Sequence, residues 1–192
     1  MVLIYDDINE EGAAYVRDEL LRMRIPCAIG KNERLCTYAL VFVVPMDDCA
    51  ADAAFDEERV IYADFCAIND DSRRKGELLR LISRIEDVLF IKFGFDPYTV
   101  ARGAFYDSLD ECRYFGSKCF LQYTERLIMR FLAVCGENRV NADVIGGYCL
   151  DRNTSVSAVP VHISKINSRL YFYSSIKAIN SKKNLGYRLA FI

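Results

Sequence analysis

The sequence predicts two domains: an α/β domain with a parallel sheet in residues 1–95, and an α+β domain in residues 96–192. Three observations support this division. Short apolar runs alternate with helical patterns in the first half, the pattern changes after "GFDP" to short paired strands and then helices, and the charge changes sign. Residues 1–96 carry 12 basic and 20 acidic side chains, a balance of −8, whereas residues 97–192 carry 13 and 7, a balance of +6.

The first half begins with "VLIYDD", a short apolar strand that ends in two carboxylates, and "EEGAAYVRDELLRM" follows with apolar residues at helical spacing. "CAIG", the continuous apolar run "YALVFVVP" and "RVIYA" predict three further strands. A long helix is predicted from Arg73 to Phe93, with an apolar stripe wide enough to cover more than one surface. Strands that alternate with helices favour a parallel sheet.

In the second half, "TVARGAFYD" and "ECRYFGSKCFL" predict a small antiparallel sheet with Gly116 in a turn. Three helices follow. The first is "QYTERLIMRFLAVCG", where Gln122 and Glu125 occupy the positions of a capping box, and the second starts at the N-cap residue Asn141. The third covers residues 157–171 and accommodates Pro160 in its first turn. "SIKAINSKKNLGYRLAFI" closes the chain as a strand, a basic turn and a strand.

The eight cysteines stand far apart and form no CxxC pair, which argues against zinc and redox motifs. Cys27, Cys119 and Cys135 lie in apolar surroundings, so we expect buried, reduced thiols that act as small hydrophobic side chains. The chain has no run of eighteen apolar residues, and its acidic start differs from the basic start of a signal peptide. These features predict a cytoplasmic protein without a membrane segment.

The only histidine, His162, lies in the third helix of the second half, within "SAVPVHISKINSRL". Lys165 and Arg169 follow it at spacings of three and four, so the three side chains share a polar face. The neighbouring face is an apolar stripe with spacings of four, three and four: Val159, Ile163, Ile166 and Leu170. Seven basic residues and no acidic one follow Asp151, which indicates a polyanionic partner.

The order of elements from Thr99 to Ile192, about half of the chain, resembles the DNA-binding domain of the OmpR/PhoB family of response regulators. "LQYTERLIMRFL" is similar to the family's first-helix motif, and "RVNADVI" to the start of its second helix. "VPVHISKINSRL" resembles its recognition-helix motif, and "INSKKNLGYRL" the wing signature that ends in G-Y-R. The resemblance implies a winged helix-turn-helix that binds double-stranded DNA.

The resemblance also implies which residues face the DNA. In the family, the counterpart of His162 contacts a backbone phosphate, and other counterparts lie at or near the duplex: Ser157, Ser164, Lys165, Asn167 and Ser168. We expect phosphate attraction from four further residues: Arg169, Lys182, Lys183 and Arg188. Lys165 and Asn167 are expected nearest to the base edges. The alternatives are a structural histidine on the helix and a solvated hairpin in the wing.

This helix has fewer arginines than is usual in the family. Ser157, Ser164 and Asn167 stand where arginines often pair with guanine, so base readout is expected to be thin. In the wing, Asn184 stands where the family often has glycine, and asparagine tolerates a positive φ. As in relatives, the loop "LDRNTS" is expected to face RNA polymerase, and a homodimer on two half-sites is expected. The exposed part of "VLFIKFGF" is a candidate dimer surface.

The N-terminal half resembles the family's receiver, a flavodoxin-like domain. Asp6 and Asp7 match the acidic pair that holds magnesium. Val44 stands where the family has its phospho-accepting aspartate, and valine can act neither as nucleophile nor as metal ligand. A relic acidic loop is therefore the main alternative to a magnesium site. Between "RVIYA" and the long helix there is no room for the usual fourth helix and fifth strand, so we expect an abbreviated, atypical receiver.

These features predict a DNA-binding transcriptional regulator that is independent of aspartyl phosphorylation. Two alternatives stay open. One is a winged-helix protein-interaction module without DNA binding, and the other is a regulator phosphorylated at the displaced Asp47 or Asp48. With one histidine and no GxSxG, P-loop or HExxH pattern, the chain is not expected to be an enzyme, and no cofactor is expected.

Overall fold

The computed structural model describes residues 1–6, 11–46, 56–151 and 153–190. The chain divides into two compact units, Met1–Pro97 and Tyr98–Ile192. This division falls two residues after the boundary expected from the sequence.

The first unit contains a parallel sheet with the strand order β2-β1-β3-β4. Its elements, in chain order, are β1 (Val2–Ile4), α1 (Glu11–Arg22), β2 (Cys27–Ile29), α2 (Glu33–Cys36), β3 (Val41–Pro45), β4 (Val60–Ala63), α3 (Phe65–Asn69) and α4 (Arg74–Phe93). The predicted α/β class is confirmed. The order is that of the flavodoxin-like fold without its fifth strand, as far as the described residues extend.

The core of the first unit lies between this sheet and helices α1, α3 and α4. Strand residues such as Ile4 and Val43 are fully buried because helices cover the sheet face on which they lie. The apolar stripe of α4 divides into two parts. Ile85 and Leu89 are buried, whereas Phe90 and Ile91 are 66% and 74% exposed, so one part of the wide stripe is uncovered in this chain.

The second unit is an α+β domain whose elements follow the predicted order: β5 (Val100–Arg102), β6 (Phe105–Asp107), β7 (Cys112–Tyr114), β8 (Ser117–Lys118), α5 (Tyr123–Cys135), α6 (Ala142–Cys149), α7 (Val159–Ser174), β9 (Ile179–Lys182) and β10 (Gly186–Leu189). Strands β5 to β8 form an antiparallel sheet, and β9 and β10 form a separate hairpin, which we call the wing. Gly116 lies in the turn after β7 with φ +77°, as predicted. Three helices between a sheet and a hairpin are the winged helix-turn-helix arrangement.

Helix ends in this unit largely follow the sequence signals. The capping box at the start of α5 is confirmed, since Gln122 and Glu125 make both of its hydrogen bonds. Asn141 occupies the N-cap of α6, but its side chain makes no capping hydrogen bond. Helix α7 is preceded by a 3-10 turn, and Pro160 lies in its first turn, where the missing N–H is harmless.

A buried ion cluster joins the antiparallel sheet to α5. Asp107 of β6 is fully buried and accepts hydrogen bonds from Arg126 Nε at 2.5 Å and Arg130 Nη1 at 2.9 Å. Arg126 also donates to the carbonyl of Ser108. Because an unpaired buried charge is far costlier than a paired one, each member of the cluster requires the others.

The wing is attached to the chain that precedes α6. Val140 and Tyr187 exchange two backbone hydrogen bonds, each of 2.8 Å. Gly186, the glycine of the G-Y-R sequence, has φ +87°, and a Cβ at this position would overlap the Val140 carbonyl oxygen. Glycine is therefore required here for two reasons, backbone conformation and close approach.

Gly186→Ala should detach the wing from Val140, because its new methyl group has no space. Gly116→Ala is the matched control, since Gly116 has a similar φ of +77° but no atom within 4 Å of its Cβ position. The control is expected to lower the free energy of unfolding only by the penalty for a left-handed backbone at a residue with a Cβ, about 1–2 kcal/mol. Hydrogen exchange of the Val140 and Tyr187 amides should accelerate in Gly186→Ala and stay near its original rate in Gly116→Ala. Equal exchange rates in the two variants would contradict the close approach.

Candidate nucleic-acid interface

The buried side of α7 is the predicted apolar stripe. All four of its members are at most 5% exposed: Val159, Ile163, Ile166 and Leu170. The stripe packs α7 against α5 and α6. The polar side of the helix therefore faces outward, as the spacing predicted.

A groove of about 570 Å³ lies between α7 and the wing. The helix lines it with Pro160, Ile163, Ser164, Asn167, Ser168 and Tyr171, and the segment from Lys177 onward contributes Lys177, Ser181 and Tyr187. Three of the expected DNA-facing residues, Ser164, Asn167 and Ser168, are thus brought together in one concave surface.

Six of the expected DNA-facing residues are exposed: Ser157, Ser164, Lys165, Ser168, Lys182 and Lys183. Ser157 also makes a hydroxyl-to-hydroxyl hydrogen bond of 2.8 Å with Ser155. Within the described parts of the chain, no salt bridge involves Lys165, Lys182 or Lys183. Their ammonium groups are therefore available to an anion.

His162 is half-buried. Its Nδ1 atom is buried and has no hydrogen-bond partner among the described residues. A phosphate contact by this side chain must therefore be made through Nε2. A neutral imidazole with its proton on Nε2 can donate there and leave the buried nitrogen unprotonated.

Asn167 binds the backbone of the wing. Its Nδ2 donates to the Ile179 carbonyl at 3.0 Å, and its Oδ1 accepts from the Ile179 N–H at 2.8 Å. The side chain lines the groove and binds the backbone of β9 as a neighbouring strand would. Asn167 therefore ties the wing to α7, a role that the sequence did not indicate.

Arg169 has partners within the fold. Its Nη1 donates to Glu125 Oε2 at 2.6 Å, and its guanidinium lies 5.9 Å from the centre of the Phe120 ring. The Arg169 side chain is 34% exposed, whereas the Glu125 side chain is fully buried. Arg169 therefore ties α7 to the start of α5.

Arg188 lies in the wing opposite Asn180 and is half-buried, with an Nε atom that is buried and unpartnered within the described chain.

Arg139 is not identifiable as a wing residue from the sequence. It donates from Nη1 to the carbonyls of Asn180 and Gly186, at 3.4 Å and 3.2 Å, and so braces both strands of the wing. Asn184 has φ +63° in the wing turn, as expected of an asparagine replacing glycine.

The groove residues contributed after α7 are not among those expected from the sequence to face DNA: Lys177, Ser181 and Tyr187. In the sequence, Lys177 stands out only as one member of the basic C-terminal run. Helical periodicity could not identify it, because α7 ends at Ser174 and its C-cap residue, Ser175, has φ +57°. The indication that the sequence offers is the position of Lys177 in the short connection between Ser175 and β9.

At the receiver-like edge of the first unit, Val44 is completely buried in β3 and pairs with Tyr62 of β4. Asp6, two residues after the end of β1, is also buried. Asp7, Asp47 and Asp48 lie outside the described residues, so of the expected magnesium ligands only Asp6 is described. Val44 supplies no oxygen ligand at the position where the family resemblance implies an aspartate.

Membrane spans and metal clusters are both missing from the described residues. No helix in them is long and apolar enough to cross a membrane. The same part of the chain contains no group of three or more His, Cys, Asp or Glu side chains that could hold a metal ion.

No model of a known protein family matches the sequence, and no curated protein matches it. Solved structures that are similar to the chain include the following three. The DNA-binding domain of response regulator AdeR, in complex with an intercistronic region, has 17% identity and a TM-score of 0.44 and covers 48% of this chain and 99% of its own. DrrB, an OmpR/PhoB homologue from Thermotoga maritima, has 14% identity and a TM-score of 0.46. The match covers 98% of this chain and 97% of DrrB. A redox sensor of the streptococci, from a family evolved from two-component response regulators, has 11% identity and a TM-score of 0.43. The match covers 100% of this chain and 99% of that sensor.

Asn167→Ala should loosen the wing, because it leaves the Ile179 N–H and carbonyl without their side-chain partners. The free energy of unfolding is expected to fall by about 1–3 kcal/mol, the cost of leaving a buried polar group unsatisfied. Hydrogen exchange of the Ile179 amide reports the loosening of the wing and should accelerate. Ser168→Ala is the control, since Ser168 lines the same groove and is exposed. If Ile179 exchanged equally fast in both variants, the role of Asn167 would be wrong.

Proposed function

We propose that the chain is a transcriptional regulator that binds double-stranded DNA through α7 and the wing. One observation carries the proposal: Lys165, Lys182 and Lys183 are exposed, form no salt bridge with any described residue, and lie on the two elements that flank the groove. The major groove of B-DNA is about 12 Å wide and accepts one α-helix, and clustered cations supply the phosphate attraction that dominates affinity.

The proposed roles follow from what each side chain already contacts. Lys165, Lys182, Lys183 and the Nε2 atom of His162 bind phosphates, together with Lys177 from the end of the groove. Ser164 and Ser168 are nearest to the base edges, and Ser157 lies at the start of the helix. Serine hydroxyls pair with more than one base, so this surface discriminates weakly between sequences. Binding, not catalysis, is the proposed activity.

The proposed regulator works as a homodimer on two half-sites, with RNA polymerase as a partner of the loop that spans residues 150–155. Residue 152 of that loop lies outside the described chain. Phe90 and Ile91 supply an exposed apolar surface on α4 for self-association. The proposed location is the cytoplasm, because a regulator of transcription must share a compartment with the DNA.

The first unit is proposed to be an atypical, shortened receiver that does not use aspartyl phosphate. Two features support this. Val44 at the end of β3 has no nucleophilic oxygen, and a single short helix, α3, stands between β4 and α4.

The triple variant Lys165→Ala, Lys182→Ala, Lys183→Ala should bind a random-sequence duplex more weakly. Removing one phosphate-binding cation lowers the slope of log affinity against log salt by about 0.9, so removing all three should lower it by roughly 2–3. Fluorescence anisotropy over a salt series measures both the affinity and the slope. Lys75→Ala in the other unit is the control for an exposed lysine.

An unchanged slope in the triple variant would place DNA elsewhere on the chain. No binding by the original protein, even at low salt, would favour the protein-interaction module instead.

Incubation with a small phosphodonor and magnesium should leave the intact mass of the chain unchanged. Phosphorylation of any aspartate would add about 80 Da, the mass of a phosphoryl group in place of hydrogen. A response regulator with an aspartate at the end of its third strand serves as the positive control. An adduct that disappears in Asp47→Asn or Asp48→Asn would show that the acceptor is displaced rather than absent.

A further inference from the structure

Two cysteines that are seven residues apart meet in the antiparallel sheet of the second unit. The Sγ atoms of Cys112 and Cys119 are 3.4 Å apart, and both side chains are buried. Cys112 begins β7, and Cys119 follows β8 directly. The register places them opposite each other, one step beyond the pair Arg113–Lys118, and the Cys119 N–H donates to the Cys112 carbonyl at 2.9 Å.

This arrangement suits a disulfide. Opposed residues of a hydrogen-bonded antiparallel pair have Cα atoms about 5.5 Å apart, within the range of about 4.4–6.8 Å found for disulfides. The two sulfurs already point at each other, so bond formation requires rotation of the side chains and little movement of the backbone.

The two thiols are not equivalent. Either sulfur can be the donor of the hydrogen bond between them. With Cys112 as the donor, this hydrogen bond lowers the pKa of the Cys119 thiol and raises that of Cys112. Nearby, the Arg126 guanidinium lowers the pKa of Cys119, while burial and the Asp107 carboxylate raise it. Cys135 is a contrast within the same unit, because burial without such a donor raises its pKa to about 12. With Cys112 as the donor, Cys119 is the better nucleophile of the pair, and it is also the more exposed of the two thiols, 9% against 4%.

We propose that Cys112 and Cys119 form a dithiol that hydrogen peroxide, or another small peroxide, oxidises to a disulfide. The Cys119 thiolate attacks one peroxide oxygen, an S–O bond forms as the O–O bond breaks, and the leaving hydroxide takes a proton to become water. Cys112 then attacks the Cys119 sulfenic acid, an S–S bond forms as the S–O bond breaks, and the Cys112 proton leaves with the hydroxyl as water. Overall, two thiols and one peroxide give one disulfide and two waters.

The disulfide would act on a segment that supports α7. Cys119 is followed by Phe120, whose ring lies beneath the Arg169 guanidinium, and then by Glu125, which binds the same guanidinium. Closing the bond ties this segment to β7. The proposal concerns the thiols alone, so it stands or falls independently of DNA binding.

The full chain offers a direct test. The reduced protein is treated with hydrogen peroxide, alkylated and digested with trypsin without reductant. Cleavage after Arg102, Arg113, Lys118 and Arg126 yields peptides 103–113 and 119–126, each with one cysteine. The expected product is these two peptides joined, with a mass about 2 Da below their sum, and dithiothreitol should separate them.

Variants identify the order of the steps. In Cys112→Ser, the Cys119 sulfenic acid has no partner and should be trapped by dimedone, whereas in Cys119→Ser neither a linked peptide nor a dimedone adduct on Cys112 should form. Cys66→Ser is the control, because Cys66 is an exposed thiol in the other unit and its removal should leave the linked peptide unchanged.

Recovery of 103–113 and 119–126 as separate alkylated peptides, after peroxide has oxidised Cys66, would overturn the proposal. Linkage of Cys112 to a cysteine other than Cys119 would also overturn it. Both outcomes are measured on the unsubstituted chain, so the test holds even if a variant fails to fold.

Discussion

The position of α7 depends on one buried carboxylate, that of Glu125. It accepts the Gln122 N–H at 2.9 Å, which caps α5, and the Arg169 guanidinium at 2.6 Å, which ties α7 to the same point. Its second oxygen, Oε1, is buried and unpartnered within the described chain. Removing either of these two partners would leave the buried carboxylate with only one, which is energetically costly. The start of α5 and the direction of α7 are therefore coupled. The apolar stripe turns the polar face of α7 outward, and this internal ion pair holds the helix to the start of α5.

The basic residues of the second unit therefore divide into two groups with different tasks. Arg126, Arg130, Arg139 and Arg169 bind carboxylates or carbonyls within the fold, where the forked guanidinium can satisfy several acceptors at once. The lysines of α7 and the wing remain in solvent, where a compact, hydrated ammonium costs little to keep. Net charge alone does not separate these groups, although only the second can meet a polyanion. The proposed DNA surface is accordingly a lysine and serine surface.

Much of the fold follows from local pattern. The apolar runs and helical spacings locate the strands and the longer helices of both units within a few residues, because burial on one face imposes a period on the sequence. The short helices α2 and α3 were not predicted. The candidate site is harder to predict. Ser164, Lys165 and Ser168 can be placed outward from the stripe of α7, but the same argument places Asn167 and Arg169 outward too. Periodicity identifies the face of a helix from which a side chain starts, and a long or amide side chain at the edge of that face can still turn back to a neighbouring element.

The sequence by itself determined the two domain classes, the opposite charges of the two halves, the buried stripe of α7 and the absence of an aspartate at Val44. Only the tertiary structure decided that Asn167 binds Ile179, that Arg169 binds Glu125, and that Cys112 meets Cys119. The first set depends on residue identity and on spacings within one element. The second set depends on contacts between elements, which arise only when the chain has packed and the register between its strands is set.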